Sequence, residues 1–246
     1  MQNHTILVTG GTTGIGLAAA KLLSAEGAKV IITGRNPATL ADAQRELPAG
    51  TVFLQSDSGS LADAQALGAE VRKHAAKLDG AFLNAGVAQF GPIEAMTPRH
   101  YDDMFNINVR GIYFQLQSLL PVLGNPSAVV LNASVVAGIN FPHSSIYSAT
   151  KAAVVSLGRT LGAELAPRGI RVNTLSPGPV ETPIFSKLGL PPAEAKGLVD
   201  SIGASTLLKR AGRPEEIARL VRFLLSEDSG FIIGEDVVID GGIRHN

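Results

Sequence analysis

Eight residues, Thr9-Gly10-Gly11-Thr12-Thr13-Gly14-Ile15-Gly16, separate a β-branched apolar run from a long alanine-rich stretch. Spaced glycines at such a junction do three jobs. One makes a tight turn, one lets a bulky anion approach the backbone, and one lets the next helix pack against the strand before it. The first turn of that helix carries unpaired N–H groups, which suit a pyrophosphate. Gly10, Thr12, Thr13, Gly14, Ile15 and Gly16 are therefore the first candidate residues for binding a dinucleotide.

The remainder of the 246-residue chain repeats the alternation. Strands are expected at Thr5–Val8, Lys29–Thr33, Thr51–Leu54, Gly80–Leu83, Ala128–Asn132, Ile170–Leu175 and Val237–Ile239. Helices are expected at Gly14–Glu26, Pro37–Leu47, Leu61–Leu78, about Pro98–Leu123, Ser145–Leu165 and Pro214–Leu225. Nearly continuous apolar strands alternating with helices mean a parallel sheet covered on both faces. The expected fold class is α/β: a Rossmann-type, doubly wound parallel sheet of about seven strands, in one domain over residues 1–246. Residues 184–213 break the rhythm with an apolar segment punctuated by Gly and Pro. They are expected to form a substrate-binding lid within that domain.

Composition excludes several classes. Lys+Arg and Asp+Glu both number 21, so the formal charge is zero and no nucleic-acid partner is expected. Cysteine is absent, which excludes disulfides, thiolate metal sites and a cysteine nucleophile. His4, His74, His100, His143 and His245 are scattered without ligand spacing, so no metal is expected. His143, four residues before Tyr147, is either a pocket residue or a surface residue at a helix entry. No run approaches the roughly 18 apolar residues of a membrane span. Met1-Gln2-Asn3-His4 enters an apolar run directly, without a basic leader. A soluble, cytoplasmic protein with no membrane partner is the expectation.

The tip of the second strand bears on cofactor choice. A carboxylate there would hold the adenosine ribose diol and repel a 2′-phosphate. This chain has Thr33-Gly34-Arg35-Asn36 instead. The planar fork of Arg35 can pair with a phosphate, so NADPH/NADP+ is expected over NADH. The alternative is that Arg35 is an ordinary solvated charge.

Tyr147-Ser148-Ala149-Thr150-Lys151 opens a predicted helix, and the i, i+4 spacing puts Tyr147 and Lys151 on one face. A phenol near pKa 10 is a weak acid–base group at neutral pH. A neighbouring ammonium is expected to lower that value. Ser134, at the end of the fifth strand, can hydrogen-bond the same carbonyl oxygen that Tyr147 protonates. Asn108 lies inside the long predicted helix, where asparagine is a poor choice and marks a polar role or a local break.

These features, with Asn84-Ala85-Gly86, Asn173 and Pro177-Gly178, make the chain resemble the short-chain dehydrogenase/reductase family along nearly its whole length. The resemblance implies a catalytic set of Asn108, Ser134, Tyr147 and Lys151. Tyr147 would donate the proton in carbonyl reduction and accept it in alcohol oxidation. Lys151 would lower the tyrosine pKa and hold the nicotinamide ribose, and Ser134 would orient the substrate oxygen. Asn108 would hold a water linking Lys151 to solvent. Asp57 would contact the adenine, and Asn84, Ala85 and Gly86 would line the adenosine and ribose side. Pro177, Gly178, Val180 and Thr182 would fix the nicotinamide carboxamide. The resemblance also implies a homotetramer built on residues 98–123, 145–165 and 234–246. Two positions depart from the family pattern: Leu83 replaces the first asparagine of an Asn-Asn-Ala-Gly turn, and Ile233 replaces a threonine.

The substrate pocket is expected between residues 87–90, 135–143 and the segment from Pro183 onward. Val136, Asn140, Phe141, Ile184 and Phe185 are the candidate substrate contacts. An apolar lining suits a small hydrophobic ketone, although the same side chains could pack the lid onto the core. The expected reaction is NADPH-dependent reduction of a ketone to a secondary alcohol, reversibly. One alternative is a 3-oxoacyl-[acyl-carrier-protein] reductase, disfavoured because Leu123–Ser127 offers no basic docking residue, although Arg168 remains. Another is a nonenzymatic NADP(H)-binding redox sensor, disfavoured because both Tyr147 and Lys151 are present.

Overall fold

The structure is a computed structural model that describes residues 1–183 and 192–245. Its strands are β1 (Thr5–Thr9), β2 (Lys29–Gly34), β3 (Val52–Gln55), β4 (Leu78–Leu83), β5 (Leu123–Asn132), β6 (Ile170–Pro177) and β7 (Asp236–Ile239). All pair in parallel, in the order β3-β2-β1-β4-β5-β6-β7. The helices are α1 (Gly14–Ala25), α2 (Pro37–Glu46), α3 (Leu61–Arg72), α4 (Pro98–Phe105), α5 (Ile112–Leu119), α6 (Ser145–Leu165), α7 (Pro192–Ala204) and α8 (Pro214–Leu225). This is the expected Rossmann-type α/β fold. None of the described helices is long and apolar enough to cross a membrane.

The continuous apolar strands divide between two cores because successive side chains point to opposite faces. Ile6 and Val8 of β1, with Val30 and Ile32 of β2, pack under α1 and α8. Leu7 and Ile31, the residues between them, face α3, α5 and α6. Strand order reverses between β1 and β4. In such sheets a crevice opens there, beyond the carboxyl ends of the strands, and the candidate site lies in it.

Two expected helices are shorter than their apolar periodicity suggests. The helix from Leu61 ends at Arg72, because Leu78 already belongs to β4, paired with Leu123. The helix expected from Pro98 to Leu123 is three pieces: α4, a π-helical segment at Asn106–Gly111, and α5. Leu123 then starts β5, which is longer than the expected Ala128–Asn132 and takes in the Leu123–Ser127 loop. Backbone proximity marks the π segment. A side chain at Gly111 would stand 2.3 Å from the Ser58 carbonyl oxygen. Such wide turns recur at functional sites.

The expected lid segment holds α7 and is tied at its base. Val180 bridges Gly212, with the Glu181 N–H donating to the Gly212 carbonyl (3.0 Å) and the Gly212 N–H to that of Pro179 (2.9 Å). Arg210 and the Arg213 N–H both donate to Glu216 at the start of α8, at 2.8 Å, and hold its carboxyl down to about 2.

Gly68 shows packing overruling local preference. Alanine is favoured over glycine inside a helix by about 1 kcal/mol. A methyl group at Gly68, however, would lie 1.9 Å from the Ser118 carbonyl oxygen where α3 meets α5. Overpacking of this kind costs about 1–3 kcal/mol. Gly68→Ala is therefore expected to lower the urea unfolding midpoint; an unchanged or raised midpoint contradicts the packing argument.

Candidate active site

Two adjoining cavities occupy the crevice. The first, of about 430 Å³, runs from the β2 tip past the glycine loop to Lys151. Gly10, Thr12, Thr13, Gly14 and Ile15 form its floor. Gly10 has φ +62°, and a Cβ there would lie 2.9 Å from the Ala85 Cα. Gly16 does not line the cavity but packs under it: its Cβ would be 2.3 Å from the Gly10 carbonyl oxygen. Thr13, which precedes α1, makes no side-chain cap, so the first N–H groups of the helix remain open to an anion. A glycine floor leading to an uncapped helix start fits a dinucleotide pyrophosphate.

Asn84 joins the walls of this groove. Its Nδ2 donates to the carbonyls of Thr9 (3.0 Å) and Gly10 (3.1 Å), and its Oδ1 accepts from Asn132 Nδ2 (2.9 Å). Thr9 Oγ1 accepts the N–H groups of Asn84 and Ala85. Asn84, Ala85 and Gly86 line the groove as expected. At its far end stand Arg35, Asn36, Thr39, Ser56 and Asp57. Arg35 is exposed and makes no ion pair among the described residues. Asp57 Oδ1 accepts the Gly59 N–H (2.9 Å), which shapes the turn after β3.

The second cavity, of about 500 Å³, shares Ile15, Asn132, Tyr147 and Thr182 with the first. Ser134, Val136, Phe141, Pro177, Gly178 and Val180 line it. Asn140 does not; it is exposed beside Ile139, which does. Ile184 and Phe185 lie outside the described residues, as do Leu188, Leu190 and Pro191. Sequence reasoning missed Leu198 and Ile202 of α7, Ile243, and the shared residue Asn132. Asn132 offers the one legible signal among these, a polar residue ending an apolar strand two positions before Ser134.

At the junction Tyr147 is buried, with the edge of Phe90 against its ring at 5.6 Å between centroids. Burial pushes its phenol up to about 12, opposed by the hydrogen bond with Ser134. This corrects the expected depression by Lys151. The ring sits in an apolar cluster with Ala88 and Met104, where desolvation outweighs any pull from the lysine. Lys151 is subject to the same effect, and burial lowers its ammonium to about 8. Its Nζ donates to the Asn132 carbonyl (2.8 Å) and stands 5.7 Å from the Tyr147 ring centroid.

Asn108 is fully buried in the π segment. Its Oδ1 accepts the Val87 N–H (2.9 Å), and its Nδ2 donates to the Val87 carbonyl (2.9 Å) and to Thr150 Oγ1 (3.1 Å). Thr150 Oγ1 donates in turn to the Tyr147 carbonyl (2.7 Å). The Asn108 amide therefore clamps the β4 turn to the helix that carries Tyr147.

Residues 10–244 match a family model described as enoyl-(acyl carrier protein) reductase. The chain belongs to the short-chain dehydrogenase/reductase family. It is an oxidoreductase of a family that binds nicotinamide cofactors. An uncharacterized oxidoreductase of Methylorubrum extorquens is 36% identical over 99% of both chains. A cyclopentanol dehydrogenase of Comamonas testosteroni is 30% identical over 100% of this chain and 99% of that one. The structure of a 3-ketoacyl-(acyl-carrier-protein) reductase from Brucella melitensis, complexed with NADH, is 29% identical, covers 98% of both chains and has a TM-score of 0.89.

The lysine provides a direct check on the site. A titration of Lys151 Nζ by NMR in the free protein is expected near 8, well below the free-lysine reference of about 10.4. A Lys151 value at that reference would mean that the ammonium is solvated and the site more open than described.

Proposed function

We propose that this chain reduces a hydrophobic ketone to a secondary alcohol with NADPH, reversibly. The observation that carries this reading is the place of Tyr147, at the boundary between a dinucleotide-shaped groove and a largely apolar cavity. When bound, NADPH would supply the hydride. The glycine floor and the start of α1 hold its pyrophosphate, and Lys151 holds the adjoining ribose. Pro177, Gly178, Val180 and Thr182 orient the nicotinamide end. Ser134 hydrogen-bonds the substrate oxygen, and the Tyr147 hydroxyl gives that oxygen its proton.

The raised phenol pKa suits reduction. Tyr147 stays protonated across neutral pH, and an alkoxide developing on the substrate is a far stronger base than a phenolate. The reverse reaction needs the phenolate and so gains as pH rises. The charge of Lys151, which stabilises a phenolate, fades as pH rises through about 8.

A ketone is favoured by the cavity lining, in which Ile139, Phe141, Leu198, Ile202 and Ile243 are apolar. The likeness to a cyclopentanol dehydrogenase supports the same class. We extend the reading to residues 184–213 as a lid, on the contribution of Leu198 and Ile202 to the cavity wall. Likeness to a 3-ketoacyl-(acyl-carrier-protein) reductase supports a second reading, an acyl-thioester substrate. Initial rates of NADPH oxidation with a cyclic ketone, an aryl ketone and an acetoacetyl thioester separate the two. A dominant thioester rate overturns the ketone reading.

Tyr147→Phe is expected to keep NADPH binding and lose about 10²–10⁴-fold in reduction rate, since only the proton donor is removed. Undiminished turnover refutes its role. The unpaired Arg35 at the groove end supports NADPH over NADH. Arg35→Asp is expected to shift the ratio of kcat/KM values toward NADH by roughly 10- to 100-fold, the worth of one charge-assisted contact. An unchanged ratio makes Arg35 a bystander.

A further inference from the structure

Among the described residues, the substrate cavity has one polar side chain that the proposed chemistry leaves unused. Ser134 and Tyr147 serve the reacting oxygen, while Asn132 and Thr182 also line the cofactor groove. The remaining polar member of the lining is His143. Its neighbours on the wall, Phe90, Val136, Ile139, Phe141 and Pro142, offer no polar side-chain atom.

The backbone holds this imidazole in an unusual way. His143 has φ +65°, in the left-handed region that a residue with a Cβ rarely adopts. Contacts on both sides impose that conformation. The Gly91 N–H donates to the His143 carbonyl (2.8 Å), and Ser144 Oγ, one residue on, donates to the Phe141 carbonyl (2.6 Å) and pairs with Ser148 Oγ (2.7 Å). Phe141 and Tyr147 pack edge-on against Phe90, which fixes the wall on either side. Such strain persists where surrounding contacts over-determine it, and it clusters at binding sites. The imidazole itself has no hydrogen-bond partner among the described residues. His143 is exposed at the mouth of the cavity, so its ring nitrogens meet solvent there and can exchange that contact for a bound polar group.

We propose that His143 is a specificity-determining residue, and that the preferred substrate is a hydrophobic ketone carrying a second oxygen, a hydroxyl or carbonyl, which hydrogen-bonds the His143 imidazole. This deepens the ketone reading of the site and rests on it. The reacting carbonyl engages Tyr147 and Ser134, the apolar frame lies against Ile139, Phe141 and Ile202, and the second oxygen meets His143. An apolar wall alone discriminates weakly between a methyl and a hydroxyl substituent, whereas a solvent-accessible hydrogen-bonding group at its mouth adds a modest preference for the hydroxyl.

The test is a ratio of kcat/KM values with NADPH for matched cyclic ketones. The pairs are 3-hydroxycyclohexanone against 3-methylcyclohexanone, and 4-hydroxycyclohexanone against 4-methylcyclohexanone. The wild-type enzyme is expected to favour a hydroxyl partner by roughly tenfold in at least one pair, about the worth of one hydrogen bond. His143→Gly keeps the left-handed backbone without strain and should bring that ratio to about one or below. His143→Asn also tolerates the backbone, restores a donor and an acceptor, and should recover part of the preference. A wild-type ratio near one in both pairs overturns the inference and leaves the ketone reading intact, as does a preference that survives in His143→Gly. Absence of turnover for all four ketones, beside a rapid thioester rate, overturns the ketone reading and this inference with it.

Discussion

The site depends on one close approach, that of the β4 turn to the glycine loop. Gly10 has no side chain, so Ala85 can come against its backbone, and the Asn84 amide spans the gap to the Thr9 and Gly10 carbonyls. The same amide reaches Asn132 at the end of β5, and the Asn132 carbonyl receives Lys151. One chain of hydrogen bonds thus runs from the cofactor loop across three strand ends to the catalytic helix. Strand order reverses between β1 and β4, so this contact lies at the crevice itself.

Burial then determines the chemical character of the site. Tyr147 and Lys151 are both removed from water, and each is pushed toward its neutral form. Their spacing on α6 creates a pair, but spacing alone carries no information on solvent. The apolar cluster of Ala88, Met104 and Tyr147 comes from three separate segments. The acidity of the Tyr147 phenol is therefore set first by tertiary packing, with the Ser134 hydrogen bond opposing it. The Asn108 clamp belongs to the same layer of organisation, since it locks the β4 turn to α6 through Val87 and Thr150.

Much of this was legible in the sequence because local pattern encodes it. The glycine spacing, the alternating elements and the Tyr147–Lys151 interval are properties of short segments, and α6 and α8 have the bounds expected from the sequence. What was not legible depends on contacts between distant segments. The π segment at Asn106–Gly111 interrupts a pattern that reads as one helix, and it lies where Gly111 passes close to the Ser58 backbone, a contact distant in sequence. Asn140 looked like a pocket residue from its place beside Phe141, yet it is exposed and Ile139 lines the cavity instead. Leu198 and Ile202 fall inside the expected lid at 184–213 without being singled out there, and Ile243 contributes to the wall from near the C-terminus with no local signal to announce it. Ile184 and Phe185, the other expected contacts, are outside the described residues.

The pairing of Val180 with Gly212 has a consequence for how such a protein diversifies. The excursion between these residues is closed by a neck that lies outside the sheet, just before α8, while the first cavity is lined mainly by the loops after β1 to β4. Length and composition within the excursion can drift without disturbing the neck, because loop-closure entropy changes only slowly with length. A lineage can therefore alter the α7 part of the cavity wall as a cassette while the glycine loop and the Tyr147–Lys151 pair, which lie outside the excursion, stay as they are.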